Sequence, residues 1–231
     1  MYDFHTHTFL SDGVLSPIEL IRRAFVRGYK AIAVTDHVGI GNLEWVVKTL
    51  VKDCAAATGR WDILAVPGVE ITHVPKEDIG LIAREAKRLG ARVVTVHGET
   101  IVEPVEPGTN NAAVRSDAVD ILAHPGLISY EHARLAAERG VYLEISARKG
   151  HSLTNGHIVK VAREAGAGMV LDSDAHEPDD LLTPELSRKI AAGAGLTDEE
   201  TRAVLQLNPQ KLLAKLGLGP MPVSQSQSAA S

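Results

Sequence analysis

The sequence predicts an α/β fold, a single-domain, distorted TIM-like barrel of seven parallel strands, (β/α)7. Three observations carry this prediction. Short apolar, β-branched-rich runs alternate with segments of helical periodicity from the first residues to about Leu216. Seven strand candidates fall in one continuous series, which favours a closed or nearly closed barrel over an open doubly wound sheet. Polar side chains of metal-binding type recur where the strands end.

The strand candidates are Tyr2 to His5, Ala31 to Thr35, Ile63 to Val69, Arg92 to His97, Ile121 to His124, Val141 to Ile145 and Met169 to Asp172. The first helix is expected to start at Ser16-Pro17, a capping serine before a proline at the first helical position, and to end at Gly28. Helices near Ile79 to Leu89, Tyr130 to Arg139 and His157 to Ala165 meet Gly90, Gly140 and Gly166, residues that readily end a helix. Thr197-Asp198-Glu199-Glu200 has the form of a capping box, and Asn208-Pro209 opens the last helix. Residues 1–217 are expected to form one catalytic domain. The Ser/Gln-rich segment 218–231 lacks apolar content and is expected to be disordered.

Composition bounds the function. Of 231 residues, 45% are hydrophobic and 23% charged, an ordinary globular balance with enough length for one sizeable core. A net charge of -5 offers no broad attraction to nucleic acid or anionic membrane, so an anionic substrate must be held by local groups or by metal ions. No apolar run approaches the roughly 20 residues that cross a bilayer, and no membrane partner is expected. The single cysteine, Cys54, cannot form an internal disulfide, and a cytoplasmic location is the expectation.

The strand ends carry the chemistry. His5-Thr6-His7 closes the first strand with both imidazoles on one face of an extended chain. Asp36-His37 closes the second, Glu70 the third, His97 the fourth, His124 the fifth and Asp174-Ala175-His176 the seventh. In a parallel barrel these carboxyl ends gather at one mouth. A lone strand-end histidine is usually a hydrogen-bonded structural residue. Six of the ten histidines and three carboxylates at successive strand ends are another matter, because burying so many polar groups is costly unless cations satisfy them. Nitrogen and oxygen donors without thiolate suit zinc, manganese or iron. Nine or ten candidate donors are too many for one ion and imply two or three divalent metal ions.

His5-Thr6-His7 with Ser11-Asp12-Gly13, Thr35-Asp36-His37, Pro67-Gly68-Val69-Glu70, Val96-His97-Gly98, Ala123-His124-Pro125-Gly126 and Ser173-Asp174-Ala175-His176 together resemble, in order, the motifs of the polymerase and histidinol phosphatase (PHP) superfamily. The resemblance implies a distorted seven-stranded barrel with a trinuclear metal centre that acts on phosphoesters. Carried over residue by residue, it implies one ion at His5, His7, Glu70 and Asp174, and a second at Asp12, His37 and His176. A third would be held by His97 and His124, with Glu70 bridging to it. Asp36 is expected to point away as a supporting partner, and Asp172, with the parity of Asp174, to lie beneath the metals or on a solvated strand edge.

Other residues at the same mouth bear on substrate choice. Arg148, in Arg148-Lys149-Gly150-His151 after the sixth strand, can clamp a phosphate through its forked donors, with Lys149 and His151 as further substrate contacts. The turn-rich loop from Gly98 to Asn111 is long enough to form a rim, while Arg115 fits a surface helix better than a phosphate site. His73, His151 and His157 are the candidates for protonating a leaving group, and His132 reads as a surface helix residue. The expected activity is hydrolysis of a small phosphorylated metabolite, histidinol phosphate being the type substrate, by a metal-bound hydroxide, with Asp174, His176 and Arg148 as catalytic residues. Nucleotides or nucleic-acid ends are the alternative substrate. A metal-free RNA-processing scaffold is disfavoured by the intact donor set.

Overall fold

Alternation of side chains along parallel strands decides which residues enter the barrel and which face the helices. The computed structural model describes residues 1–219. Its strands are β1 (Tyr2–Asp3), β2 (Ala31–Val34), β3 (His37–Val38), β4 (Leu64–Ile71), β5 (Val93–His97), β6 (Ile121–Ala123), β7 (Tyr142–Ser146) and β8 (Met169–Asp172). All pairings are parallel, in the order β1-β2-β4-β5-β6-β7-β8. β3 resumes the course of β2 beyond Thr35-Asp36 and pairs with β4, setting His37 opposite Glu70. The seven expected strands are therefore present, the second of them interrupted. Between β1 and β8 the contact is a single bridge, Thr6 to Ala175, with Asp174 N donating to His5 O (2.9 Å) and His7 N to Ala175 O (2.8 Å). The barrel is nearly closed.

Helices α1 (Pro17–Val26), α2 (Leu43–Thr58), α3 (Ile79–Leu89), α4 (Thr109–Arg115), α5 (Tyr130–Arg139), α6 (Asn155–Ala165), α7 (Pro184–Gly193), α8 (Asp198–Arg202) and α9 (Asn208–Lys215) accompany the strands. Local chemistry sets their ends. The Ser16 side chain accepts from Glu19 N at the start of α1, and α3, α5 and α6 end at Gly90, Gly140 and Gly166 in the left-handed conformation that glycine adopts without Cβ strain. Thr197 and Glu200 form the expected capping box at α8. No helix among the described residues is long and apolar enough to cross a membrane.

Two apolar clusters divide the interior. The outer one joins outward residues such as Ile32, Val94, Leu122 and Leu143 to the helices. The inner one, with Ala31, Ala33, Val66, Val93, Ile121 and Val170, is closed from below by Leu212 and Leu213 of α9. Leu218 still packs against this inner cluster; residues 220–231, most of the segment expected to lack structure, lie outside the described residues. Continuing each inner column by steps of two reaches the mouth: Val66, Gly68, Glu70 on β4; Val93, Thr95, His97 on β5; Val170, Asp172, then Asp174 just past β8. An apolar floor thus gives way to buried polar groups and then to the candidate ligands.

Gly126, just after β6, has φ +61°, and a Cβ there would lie 1.9 Å from the Glu99 carbonyl oxygen. Gly126→Ala should therefore cost about 2 kcal/mol or more, read from the urea midpoint, because it combines left-handed strain with a backbone clash. An unchanged midpoint would show that the Glu99 segment yields freely.

Candidate metal centre

The nine donors expected from the sequence converge on one mouth, as the parity of the strands requires. Glu70 is fully buried on β4, and its two oxygens lie near five imidazoles. Oε2 is 3.3 Å from His5 Nε2, 3.5 Å from His7 Nε2 and 2.7 Å from His37 Nδ1; Oε1 is 3.1 Å from His97 Nδ1 and 3.5 Å from His124 Nε2. Asp174 Oδ1 approaches His7 Nε2 at 3.2 Å and His5 Nε2 at 3.8 Å. Asp12, more exposed than the rest, brings Oδ1 to 3.1 Å from His176 Nε2, 3.5 Å from His37 Nε2 and 3.9 Å from His7 Nδ1. His7, Asp12, His37 and His176 form one compact donor group, and His5, His7 and Asp174 another.

These donors fit metal ions on two grounds. His5 Nε2, both ring nitrogens of His7, Glu70 Oε2, His97 Nε2 and His124 Nδ1 are buried without a hydrogen-bond partner, although several lie within 3.0–3.5 Å of an opposing donor. Close approach without hydrogen-bond alignment is what atoms arranged around common cations show, and it is costly otherwise. Strain points the same way. His73, His124 and Asp174 are the non-glycine residues with positive φ among the described residues, and all three border this site.

The electrostatics follow from burial and crowding. Burial opposes a charge on His5, yet Glu144, Glu70 and Asp174 hold its pKa well above the usual range; burial wins at His7, which falls to about 3. Burial likewise opposes ionisation of Glu70 and Asp174, but the surrounding imidazoles, His5 foremost, hold both carboxylates below their usual range. Against burial, Glu70 carries His37 up to about 10 and His97 up to about 9.

Supporting groups surround the donors. His5 Nδ1 donates to Glu144 Oε2 at 2.8 Å, leaving Nε2 toward Glu70 and Asp174. Asp36 turns away as expected, accepting from Thr8 N, Thr8 Oγ1 and Ser11 Oγ. Asp172 lies beneath the donors, its Oδ1 accepting from Phe4 N at 2.7 Å, beside Asp3, whose Oδ1 accepts from His5 N and Ser173 N. Burial pushes Asp3 up to about 7 and Asp172 well above the carboxylate range.

A cavity of about 420 Å³ opens above the donors, with His73, Glu103, Arg148 and His151 on its walls. Arg148 Nη1 is 2.7 Å from His176 Nδ1 and 3.3 Å from Asp174 O. Lys149 is exposed and lines an adjoining cavity that shares Arg148, Asp174 and His176 with the first, but it does not line the first cavity. His157 does not face the cavity: its Nε2 donates to Ile128 O at 2.8 Å, which removes it from the leaving-group candidates. Arg115 and His132 are helix residues as expected, Arg115 exposed and bonded to Asn111. Three carboxylates escaped the sequence reading. Asp3 and Glu144 were marked by a charge inside an otherwise apolar strand. Glu103, within 3.0–3.4 Å of His97, His151 and His73, had no local signal because only the folded loop brings it there.

Residues 3–139 match the family model described as "PHP domain". The chain is 44% identical over 216 residues to an uncharacterized protein of Methanocaldococcus jannaschii, covering 93% of this chain and 99% of the relative. It is 31% identical over 219 residues to a probable phosphatase of Thermoanaerobacter sp., covering 85% and 87%. Among solved structures, it is similar in fold to the histidinol phosphate phosphatase of Lactococcus lactis, crystallised with zinc, L-histidinol and phosphate, at a TM-score of 0.57 and 15% identity over 85% of this chain and 94% of that one. On the family-model match and these sequence identities, the chain belongs to the PHP-domain family, in which a relative 31% identical to it is named a probable phosphatase.

Proposed function

We propose that the protein hydrolyses a small phosphomonoester, of the kind histidinol phosphate represents, at a centre of two or three divalent zinc, manganese or iron ions. The observation that carries this reading is the convergence of nine nitrogen and oxygen donors beside one partly exposed arginine in a compact cavity. His5, His7, Glu70 and Asp174 would hold one ion, Asp12, His37 and His176 a second, and Glu70 with His97 and His124 a third. Ions held there supply a water of lowered pKa and neutralise charge on the phosphoryl group.

The chain's own residues do the rest. Glu144 accepts the Nδ1 proton of His5 and so fixes the tautomer that presents Nε2 to the donor cluster. His176 Nδ1 lies within reach of both Asp174 O (2.9 Å) and Arg148 Nη1 (2.7 Å), but it cannot donate to one and accept from the other at once. With Nε2 committed to the ligand set, Nδ1 keeps its proton for Asp174 O. The Arg148 guanidinium then finds no acceptor on His176 and turns its fork to phosphoryl oxygens. His73 and His151 are the cavity-lining histidines available to protonate a leaving oxygen, and His151 and Lys149 border the space the leaving group would occupy.

Gently purified protein should carry more than one metal ion per chain, and chelation should abolish turnover of a phosphomonoester panel until zinc or manganese is restored. Full activity in metal-free protein would refute the reading, and activity confined to phosphodiesters would redirect it to nucleic-acid ends. His5→Ala and His176→Ala should lower metal content and abolish turnover, whereas His132→Ala should change neither.

Glu144→Ala should weaken metal retention by about 10- to 100-fold in competition with a chelator, with Glu144→Gln recovering part because an amide oxygen can still accept from His5. Equal retention in all three proteins would leave Glu144 a packing residue. Arg148→Ala should keep its metal but lose about one to two decades in kcat/KM, the value of one charge-assisted contact, with only partial recovery in Arg148→Lys. Parental kcat/KM in the alanine variant would remove Arg148 from substrate binding.

A further inference from the structure

In a parallel barrel the strand-to-helix loops and the first turns of the helices surround the mouth, while the strand starts and helix ends lie at the foot. Exposed apolar side chains divide unevenly between these two ends. Among the described residues, the large apolar side chains that stand exposed all lie in those loops and first turns, except Val26 at the end of α1 and Leu207 just before α9. Scattered exposure would favour neither end. On three consecutive loops they share one wall: Ile101 and Val102 follow β5, Leu127 (67% exposed) follows β6, and Leu153 (70% exposed) follows β7. A Cβ on Gly126 would come within 3.4 Å of Thr100 Cα as well as striking the Glu99 carbonyl, so the β6 loop lies directly on the β5 loop. Val102 Cγ2 stands 3.4 Å from the Cβ position of Gly150, which joins the β7 loop to them. Where this wall turns into the cavity, Glu103 Oε1 is 3.2 Å from His151 Nε2, and both residues line the space that holds Arg148 and the donors. Exposed apolar carbon therefore continues the cavity wall outward.

We propose that this wall binds the leaving group, and that the substrate is the phosphomonoester of an apolar alcohol, an alkyl or aryl chain of several carbons, rather than of a sugar or other polyol. The inference rests on the phosphatase reading and narrows its substrate class. With the phosphoryl group held at the donors and Arg148, a leaving group that passes His151 meets Val102 and Leu153, with Ile101 and Leu127 beyond them on the adjoining loops. A polyol there would set hydroxyls against carbon without hydrogen-bond partners, whereas an apolar chain would release water from both surfaces. The wall is held in place for this. Glu99 Oε1 accepts from Gly108 N and Asn110 N, which closes the base of the β5 loop, and His157 Nε2 ties α6 to Ile128 O of the β6 loop. Contacts to a part of the substrate that does not react are the same in the ground and transition states, so they lower KM and leave kcat nearly constant.

Primary alkyl phosphates from ethyl to hexyl test this, because their leaving alcohols have nearly the same basicity and differ in apolar length. With the metal-loaded full chain, kcat/KM should rise about two- to fourfold per added methylene, as burying part or all of each CH2 group requires, and the rise should lie in KM. Non-hydrolysable alkylphosphonates of the same lengths, titrated by calorimetry, should bind with the same slope. Val102→Ser and Leu153→Ser, altered in two different loops, should each flatten both series, whereas Val26→Ser at the foot of the barrel should keep the parental slope. A parent that hydrolyses ethyl and hexyl phosphate equally well would overturn the inference and leave the phosphatase reading standing, and serine variants with the parental slope would do the same. So would a parental dimer that Leu153→Ser dissociates without changing the slope, since the wall would then belong to a second copy. Failure to hydrolyse any phosphomonoester would overturn the phosphatase reading with it.

Discussion

One buried carboxylate organises the molecule. Glu70 has two oxygens and no exposure, yet five imidazoles lie within 2.7–3.5 Å of them. Two oxygens cannot give five rings well-aligned hydrogen bonds, so protein contacts alone leave buried atoms unsatisfied. The fold concentrates this cost at one place and holds it there. Glu70 follows Gly68 on the inner face of β4, where any Cβ would meet Thr35 and the Val93 carbonyl at under 3.0 Å, so the strands can close around the column that ends in the carboxylate. Without that narrow barrel the five histidines, drawn from four separate segments of the chain, would have no common focus.

Beneath the donors the barrel makes a graded transition. The floor is apolar and sealed by α9. Above it Asp3, Asp172 and Glu144 form a layer of buried carboxylates whose backbone and imidazole partners pin β1 against β7 and β8. This matters because β1 is short and joins β8 through a single bridge. Side-chain acceptors take over the work that a longer ladder does elsewhere in the sheet. The same groups that close the barrel therefore orient His5, and closure and metal-site geometry become one problem.

Much of this was legible in the sequence because it depends on period and order. Period-two parity on the strands places His5 with His7 and Glu70 with the mouth, and glycine at Gly90, Gly140 and Gly166 ends helices wherever it is needed. The break after Thr35 was less visible: the run Ala31 to Thr35 reads as one strand, and only the pairing of His37 with Glu70 reveals its continuation as β3. Glu144 and Asp3 could have been found by asking why a charge sits inside an apolar run. Glu103 could not, since its place depends on Glu99 and Asn110 folding the loop back on itself. The local neighbourhood of His157 is polar, but its ring turns to the Ile128 carbonyl, a contact 29 residues away that no local pattern encodes.

Charge explains why substrate binding would be tied to metal binding. The whole chain is negative, at -5, and the nine-donor set contributes three carboxylates of its own, Asp12, Glu70 and Asp174. A phosphate entering the bare cavity would meet these and Glu103, with Arg148 as the nearest fixed compensation. Two or three divalent ions would bring four to six positive charges against these four carboxylates, which together with Arg148 would turn the local field positive. With those ions the formal net charge would lie between -1 and +1, so the global field would neither draw nor repel an anion strongly, and recognition would depend on short-range contacts in a confined space, where screening by water is weak. Arg148 is placed to meet that requirement: its Nη1 lies 3.3 Å from the Asp174 carbonyl oxygen, so the cation that would grip phosphate in the proposed reading is anchored on the backbone of a residue in the donor set.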